Sequence, residues 1–211
     1  MSFWKSRRFL SATTVLIVVC MLYLIGRNIV IRQGFAAWSG SFCFIFLSAV
    51  FSVTILFSYD SHDTNTMKPA IGMLLGVNTY QSINAFVSNI CVPEVLETYL
   101  SAGASGYASL VLDVLDFILT VGFCVNHLLI SSGHHSSKPN VKLNLFLCLA
   151  LSVEYVIQVL LCIAIFPPEK VVYNAVFYLL AIGDILVILW VEMKLDYFRT
   201  EREKRAQATL T

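Results

Sequence analysis

Four carboxylic acids lie deep inside long apolar stretches of this sequence: Asp113, Asp116, Glu154 and Asp184. The same stretches contain no Lys or Arg at comparable depth. Burying an ionisable group among apolar residues is costly, so each of these acids is a functional candidate. Three chemistries would satisfy them: protonated carboxyls that donate hydrogen bonds, binding of protons or cations in transit, or pairing with a basic group of a partner or ligand.

Polar residues between positions 107 and 130 recur on one side of a predicted helix. Their spacing of i, i+3, i+7, i+11 and i+14 follows one helix face: Asp113, Asp116, Thr120, Cys124 and His127. The apolar stretch 141–166 adds Glu154 and, one turn later, Gln158. These residues predict a polar interior between helices. Together with Asp184 they are candidate contacts for an ion or a partner.

Asp113 and Asp116 are one helical turn apart. Two negative charges at that spacing in an apolar environment repel strongly, so we expect that they are not both ionised unless a cation or a basic partner is bound. If the two acids serve only as hydrogen-bonding contacts between helices, Asn should be tolerated at both positions.

The elements that hold these residues are predicted to be membrane-spanning helices. Hydrophobic residues make up 58% of the 211 residues and charged residues 13%, with a mean hydropathy of +0.78. Those values exclude a water-soluble domain, a disordered chain and a nucleic-acid-binding protein. Six stretches have the length of about 20 apolar residues that a bilayer requires: 9–26, 35–57, 71–91, 107–130, 141–166 and 171–191.

The third stretch is the weakest of the six, because it carries Asn78, Gln81 and Asn89 among other polar residues. The distribution of charge favours including it. With six spans and the N-terminus inside, 11 of the 14 Lys and Arg residues lie on the cytoplasmic side, where such residues concentrate. Without the third span, only 5 do. We therefore predict an all-α bundle of six transmembrane helices with both termini cytoplasmic.

The first stretch follows the basic residues Lys5, Arg7 and Arg8, and no small-residue cleavage site comes after it. This pattern predicts an uncleaved signal anchor. The charged segment 194–211 is predicted to continue the last span as a cytoplasmic helical tail, leaving 1–193 as the membrane domain.

The segments between the predicted spans are short. Residues 58–69 are predicted to form a polar loop, and 92–106 an interfacial helix that starts at Pro93 and ends at a hinge containing Gly103 and Gly106. The spacings Gly72-x-x-x-Gly76 and Ser48-x-x-x-Ser52 are typical of helices that pack closely in membranes.

Catalytic constellations are not evident. The run Gly103-Ala104-Ser105-Gly106 resembles the Gly-x-Ser-Gly nucleophile motif of rhomboid intramembrane proteases, which require a histidine in the sixth span. Residues 171–191 contain no histidine. The four histidines, His62, His127, His134 and His135, are too few for a membrane di-iron site. We expect neither an enzyme nor a bound metal or cofactor.

Two functions remain. The leading hypothesis is a non-enzymatic accessory or scaffolding subunit, in which the intramembrane acids are assembly contacts. The alternative is a small transporter or channel subunit that moves protons, cations or a small solute along the acidic interior. The expected partners are the lipid bilayer and another membrane subunit or a second copy, not nucleic acid. We expect a multi-pass protein of an endomembrane or the plasma membrane.

Overall fold

The fold of this chain in a computed structural model is entirely helical. The structure describes residues 7–30, 35–61, 64–131 and 138–209. Seven α-helices occupy these residues: α1 Arg7–Val30, α2 Phe35–Asp60, α3 Thr64–Cys91, α4 Pro93–Ser101, α5 Ala104–Ser131, α6 Lys138–Ile165 and α7 Pro168–Thr209. The loop histidines His134 and His135, and also His62, lie outside the described residues.

Five of these helices, α1, α2, α5, α6 and α7, are long and apolar enough to cross a membrane. Many of their exposed side chains are Val, Leu, Ile or Phe, which suit a lipid environment. The chain is therefore a multi-pass integral membrane protein. Helix α3 is too polar to be counted among the five, but its 28 residues would extend about 42 Å, more than the hydrocarbon core of a bilayer.

The six long helices pack as a ring in chain order. Helix α1 packs on α2, α2 on α3, α3 on α5, α5 on α6, and α6 on α7, which returns to α1. Helix α7 also contacts α2 and α3 across the ring. The short helix α4 packs on α3 and α5.

One side of α1 is buried at intervals of seven residues, by Leu10, Ile17 and Leu24. A Cβ atom at Gly183 of α7 would lie 2.7 Å from Cγ1 of Ile17. Gly183 therefore lets α1 and α7 approach closely, and it places the neighbouring Asp184 in the interior, where that residue is fully buried.

The link between α2 and α3 is much shorter than the predicted loop 58–69. Helix α2 continues to Asp60 and α3 already begins at Thr64, with Pro69 inside it. The loop prediction was wrong because its bounds were taken from the ends of the apolar runs. An apolar run marks only the part of a helix that suits lipid, and the helical backbone hydrogen bonds continue beyond it. Arg7 of α1 forms an ion pair with Asp60 at the end of α2.

The predicted short helix after the third stretch is confirmed as α4, which begins at Pro93. It ends before Gly103, whose φ of 61° is the left-handed conformation that favours glycine. Any side chain at Gly106 would collide with the carbonyl group of Tyr99. The two glycines thus permit the tight turn that joins α4 to α5.

Candidate functional site

Asp113 of α5 joins three helices. Its carboxyl group accepts hydrogen bonds from the side-chain amides of Asn89 in α3 at 2.8 Å and Gln158 in α6 at 3.1 Å, one on each oxygen. Gln158 is tied to α5 a second time, because its oxygen accepts from Ser109 Oγ at 2.7 Å and its nitrogen donates to the Ser109 carbonyl at 3.3 Å. Both oxygens of Asp113 are therefore satisfied by neutral donors.

Asp116 lies one turn further along α5 and also faces α6. Its Oδ1 accepts hydrogen bonds from the Tyr155 hydroxyl at 2.9 Å and from Thr120 Oγ1 at 3.1 Å. Tyr155 and Thr120 are themselves buried. This geometry places Thr120, predicted to share a face with the two acids, in direct contact with Asp116.

Glu154 of α6 is the third acid of this region, within electrostatic range of Asp116 and Asp113. Neither of its carboxyl oxygens has a hydrogen-bond partner among the described residues. Gln158 is one turn away on the same helix, but both contacts of its amide nitrogen go to Ser109 and Asp113. We call the group formed by these side chains the acidic cluster: Asn89, Ser109, Asp113, Asp116, Thr120, Glu154, Tyr155 and Gln158.

Asp184 forms a separate node on the other side of the ring. Its Oδ2 accepts from Ser48 Oγ of α2 at 2.7 Å and from the Asn78 amide of α3 at 3.1 Å. Its Oδ1 has no hydrogen-bond partner in the described part of the chain. The structure thus does not unite all four predicted acids, since the described polar contacts of Asp184 are with α2 and α3.

All four acids are turned into the bundle. The exposed fractions are 5% for Asp113, 8% for Asp116, 3% for Glu154 and 0% for Asp184. A carboxyl group buried to this degree does not offer itself to a basic side chain on the outer surface of the bundle. The contacts that Asp113, Asp116 and Asp184 make instead join helices of the same chain.

His127 and Cys124 lie further along α5 and are half-buried. His127 is eleven residues beyond Asp116, which corresponds to about 16 Å along the helix axis, so it is not part of the acidic cluster. The neighbouring Asn126 donates a hydrogen bond to Asn144 of α6, and both are buried. An amide contact therefore also joins α5 to α6 beyond the acidic cluster.

Several residues that bond to the acids or to Gln158 were not among the predicted site residues. Ser109 could have been found, because it precedes Asp113 by four residues and so lies on the same helix face. The polar residues Asn78 and Asn89 of the third stretch could be expected to line a polar interior, but no spacing paired either of them with an acid. Ser48 was singled out only as one of two small residues four positions apart. Its hydrogen bond to Asp184 could not be predicted, because Asp184 is 136 residues away in sequence and on another helix.

The two small-residue spacings differ in outcome. Ser48 and Ser52 are completely buried between helices. Gly72 and Gly76 are exposed, and apart from the adjacent residues and nearby backbone of α3 itself, no described atom lies within 4 Å of the position that a side-chain Cβ would occupy. Within the described chain, no other helix therefore packs closely against this pair, and its predicted role in close helix packing stays a prediction. The pair forms instead an open, backbone-lined strip on α3.

Among the described residues, no group of three His, Cys, Asp or Glu side chains is arranged to hold a metal ion. No protein-family model matches this chain, and neither a curated protein nor a solved structure shows a significant similarity to it.

Proposed function

We propose that this chain is a non-enzymatic accessory or scaffolding subunit with six transmembrane helices and both termini in the cytoplasm. Its partner is a second membrane protein, and the partner's transmembrane helix packs against the open side of α3. The intramembrane acids hold the chain's own helices together, so that α3 keeps its position in the ring.

Placing α3 in the membrane is supported by its contacts. Asn78 donates to Asp184 and Asn89 donates to Asp113, so both acid-centred nodes take a hydrogen bond from α3. Helix α3 also packs between α2 and α5, which are both apolar enough to span. Asn78 and Asn89 are therefore explained by inward contacts, and these two residues do not argue for an interfacial position.

The observation that carries the proposal is the open face of α3. Gly72 and Gly76 leave space beside the helix, and the large side chains Met73, Tyr80 and Val87 are exposed near the same side. Helix association in membranes depends on close packing, and small residues four apart let two backbones approach. A helix of low hydropathy with such a strip is better covered by another protein helix than by lipid tails.

The proposal is tested by filling that space. Gly76→Leu and Gly72→Leu should abolish co-purification of the partner from native membranes, because the new side chains project into the contact. They should leave the bundle folded, since nothing in the described structure occupies the space. Gly122→Leu on α5 is the matched control, because its surroundings are equally open.

A partner that is retained by both α3 variants, or lost equally with Gly122→Leu, would contradict the docking site. If light scattering shows instead that the purified chain forms a dimer that only the α3 variants dissociate, the occupant is a second copy and the accessory role is wrong.

A second candidate function is the movement of protons along the acidic cluster. It is favoured by one observation, that Glu154 is buried without a hydrogen-bond partner among the described residues. Purified protein in liposomes that contain a pH-sensitive dye should then dissipate a pH gradient, and Glu154→Gln should stop the flux. Liposomes that hold their gradient despite folded protein would contradict this function.

A further inference from the structure

The described hydrogen bonds that reach acids of the acidic cluster end on two of its three acids. Asn89 and Gln158 donate to Asp113, whereas Tyr155 and Thr120 donate to Asp116. Glu154 receives none of these hydrogen bonds, although it is almost completely buried. The described hydrogen bonds therefore stabilise charge on Asp113 and Asp116. The Gln158 amide also lies close to Glu154, but its hydrogen bonds go to Asp113 and Ser109.

Among the described side chains, the groups that face Glu154 from the neighbouring helices carry no positive charge. Helix α5 contributes Asp116 and Asp113, and α7 contributes Tyr178. At the α4 side, Tyr99 lies near Asp113. An ionised carboxyl group in such a position would be unpaired and desolvated, which is among the costliest arrangements in a protein. Glu154 must therefore carry either a proton or a bound metal cation.

The ligand geometry decides between these two. A metal cation would need several oxygen ligands directed to one point, and hard cations such as Ca²⁺ take six to eight. No three described Asp, Glu, His or Cys side chains meet that requirement. A proton needs only the one oxygen to which it is bonded.

We propose that Glu154 is a proton-binding site within the membrane. The carboxyl group holds its proton at neutral pH and can release it only when a base or water reaches the interior of the bundle. This inference deepens the second candidate function, for which it supplies the binding step, and it is independent of the docking site on α3.

The proton can be observed directly by infrared spectroscopy of the full chain in lipid. The chain is produced with glutamate that carries heavy carbon at the side-chain carboxyl, so that protonated glutamate bands shift and protonated aspartate bands do not. Glu154 is buried, whereas Glu94 and Glu97, the other glutamates whose side chains are described, are exposed. We expect a shifted protonated-carboxyl band at neutral pH in the wild type and its loss in Glu154→Gln. The exposed Glu97, changed to Gln, is the control and should leave the band in place.

The absence of a shifted band from the wild type at neutral pH would overturn the proposal without any variant. A band that persists in Glu154→Gln would also overturn it, because the proton would then belong to another glutamate. If the band behaves as expected but the liposomes show no flux, the site stands and proton movement is contradicted. Size-exclusion chromatography establishes that each variant is folded before the spectra are compared.

Discussion

Individual carboxyl groups in this chain differ in how many of their oxygens are used. Asp113 accepts one hydrogen bond on each oxygen, whereas both described bonds to Asp184 end on Oδ2. An asparagine offers only one oxygen and replaces the other by a donor. The acids that the sequence singled out together therefore differ in how their oxygens are used.

We predict that asparagine is tolerated at 184 and 116 but not at 113. Asp184→Asn and Asp116→Asn can keep their oxygen toward the existing donors. In Asp113→Asn, the new NH2 group takes the place of one carboxyl oxygen and so faces the NH2 group of Asn89 or Gln158. Two donors then face each other, which should lower the free energy of unfolding by about 1 kcal/mol or more. Denaturation in mixed micelles measures the unfolding free energies.

Asp184→Leu is the contrasting variant at the second node. It removes two interhelical bonds at once and should cost roughly 1–2 kcal/mol. Equal stability of Asp113→Asn and Asp184→Asn would show that the individual oxygen contacts do not govern the response.

The positions of the helices could largely be predicted from apolar runs, because a membrane span must satisfy its backbone internally over about 20 residues. Pro93 similarly indicated the start of α4. The ends of α2 and α3 could not be predicted, since the hydrophobic pattern stops before the helix does. The pairing of Asp184 with Ser48 was also out of reach, because it depends on which helices become neighbours in the ring.

At the level of elements, the contact of α1 with α7 depends on the missing side chain of Gly183. We predict that Gly183→Ala destabilises the bundle by about 1–3 kcal/mol, since its Cβ would overlap Ile17. Adding Ile17→Ala should recover part of that loss, so the double variant should cost less than the sum of the single changes.

Gly122→Ala is the control for this prediction. It adds the same methyl group to an apolar helix at an open position, and it should be neutral or slightly stabilising because alanine favours helix. Thermal unfolding of the four variants measures the effect. If Gly122→Ala lowers the stability as much as Gly183→Ala does, the destabilisation comes from replacing a helical glycine in general. It would then not come from the close packing of Gly183 on Ile17.

For the whole molecule, the decisive question is whether α3 crosses the membrane. If it does, its two ends lie in different compartments. On a background without the native cysteines, we predict that Lys68→Cys and Ser136→Cys are labelled only from the cytoplasmic side. We predict that Glu94→Cys, at the start of α4, is labelled only from the opposite side.

The readout is labelling by an impermeant maleimide in sealed cells and after permeabilisation. Labelling of Lys68→Cys and Glu94→Cys from one side would make α3 re-entrant, and the distribution of basic residues would then have misled the topology. Labelling of Ser136→Cys from outside would invert the second half of the bundle.

The order of helices around the ring has a consequence for biogenesis. Helix α1 is synthesised first, but one of its two neighbours is α7, which follows it by about 140 residues. Until α7 enters the bilayer, Ile17 of α1 lacks its close contact at Gly183, and Ser48 and Asn78 lack their acceptor on Asp184. Completion of α7 therefore closes the ring and satisfies the second node in a single step. Ribosomes that stall before α7 would leave an open bundle with unsatisfied polar groups facing lipid, which is a suitable signal for membrane quality control.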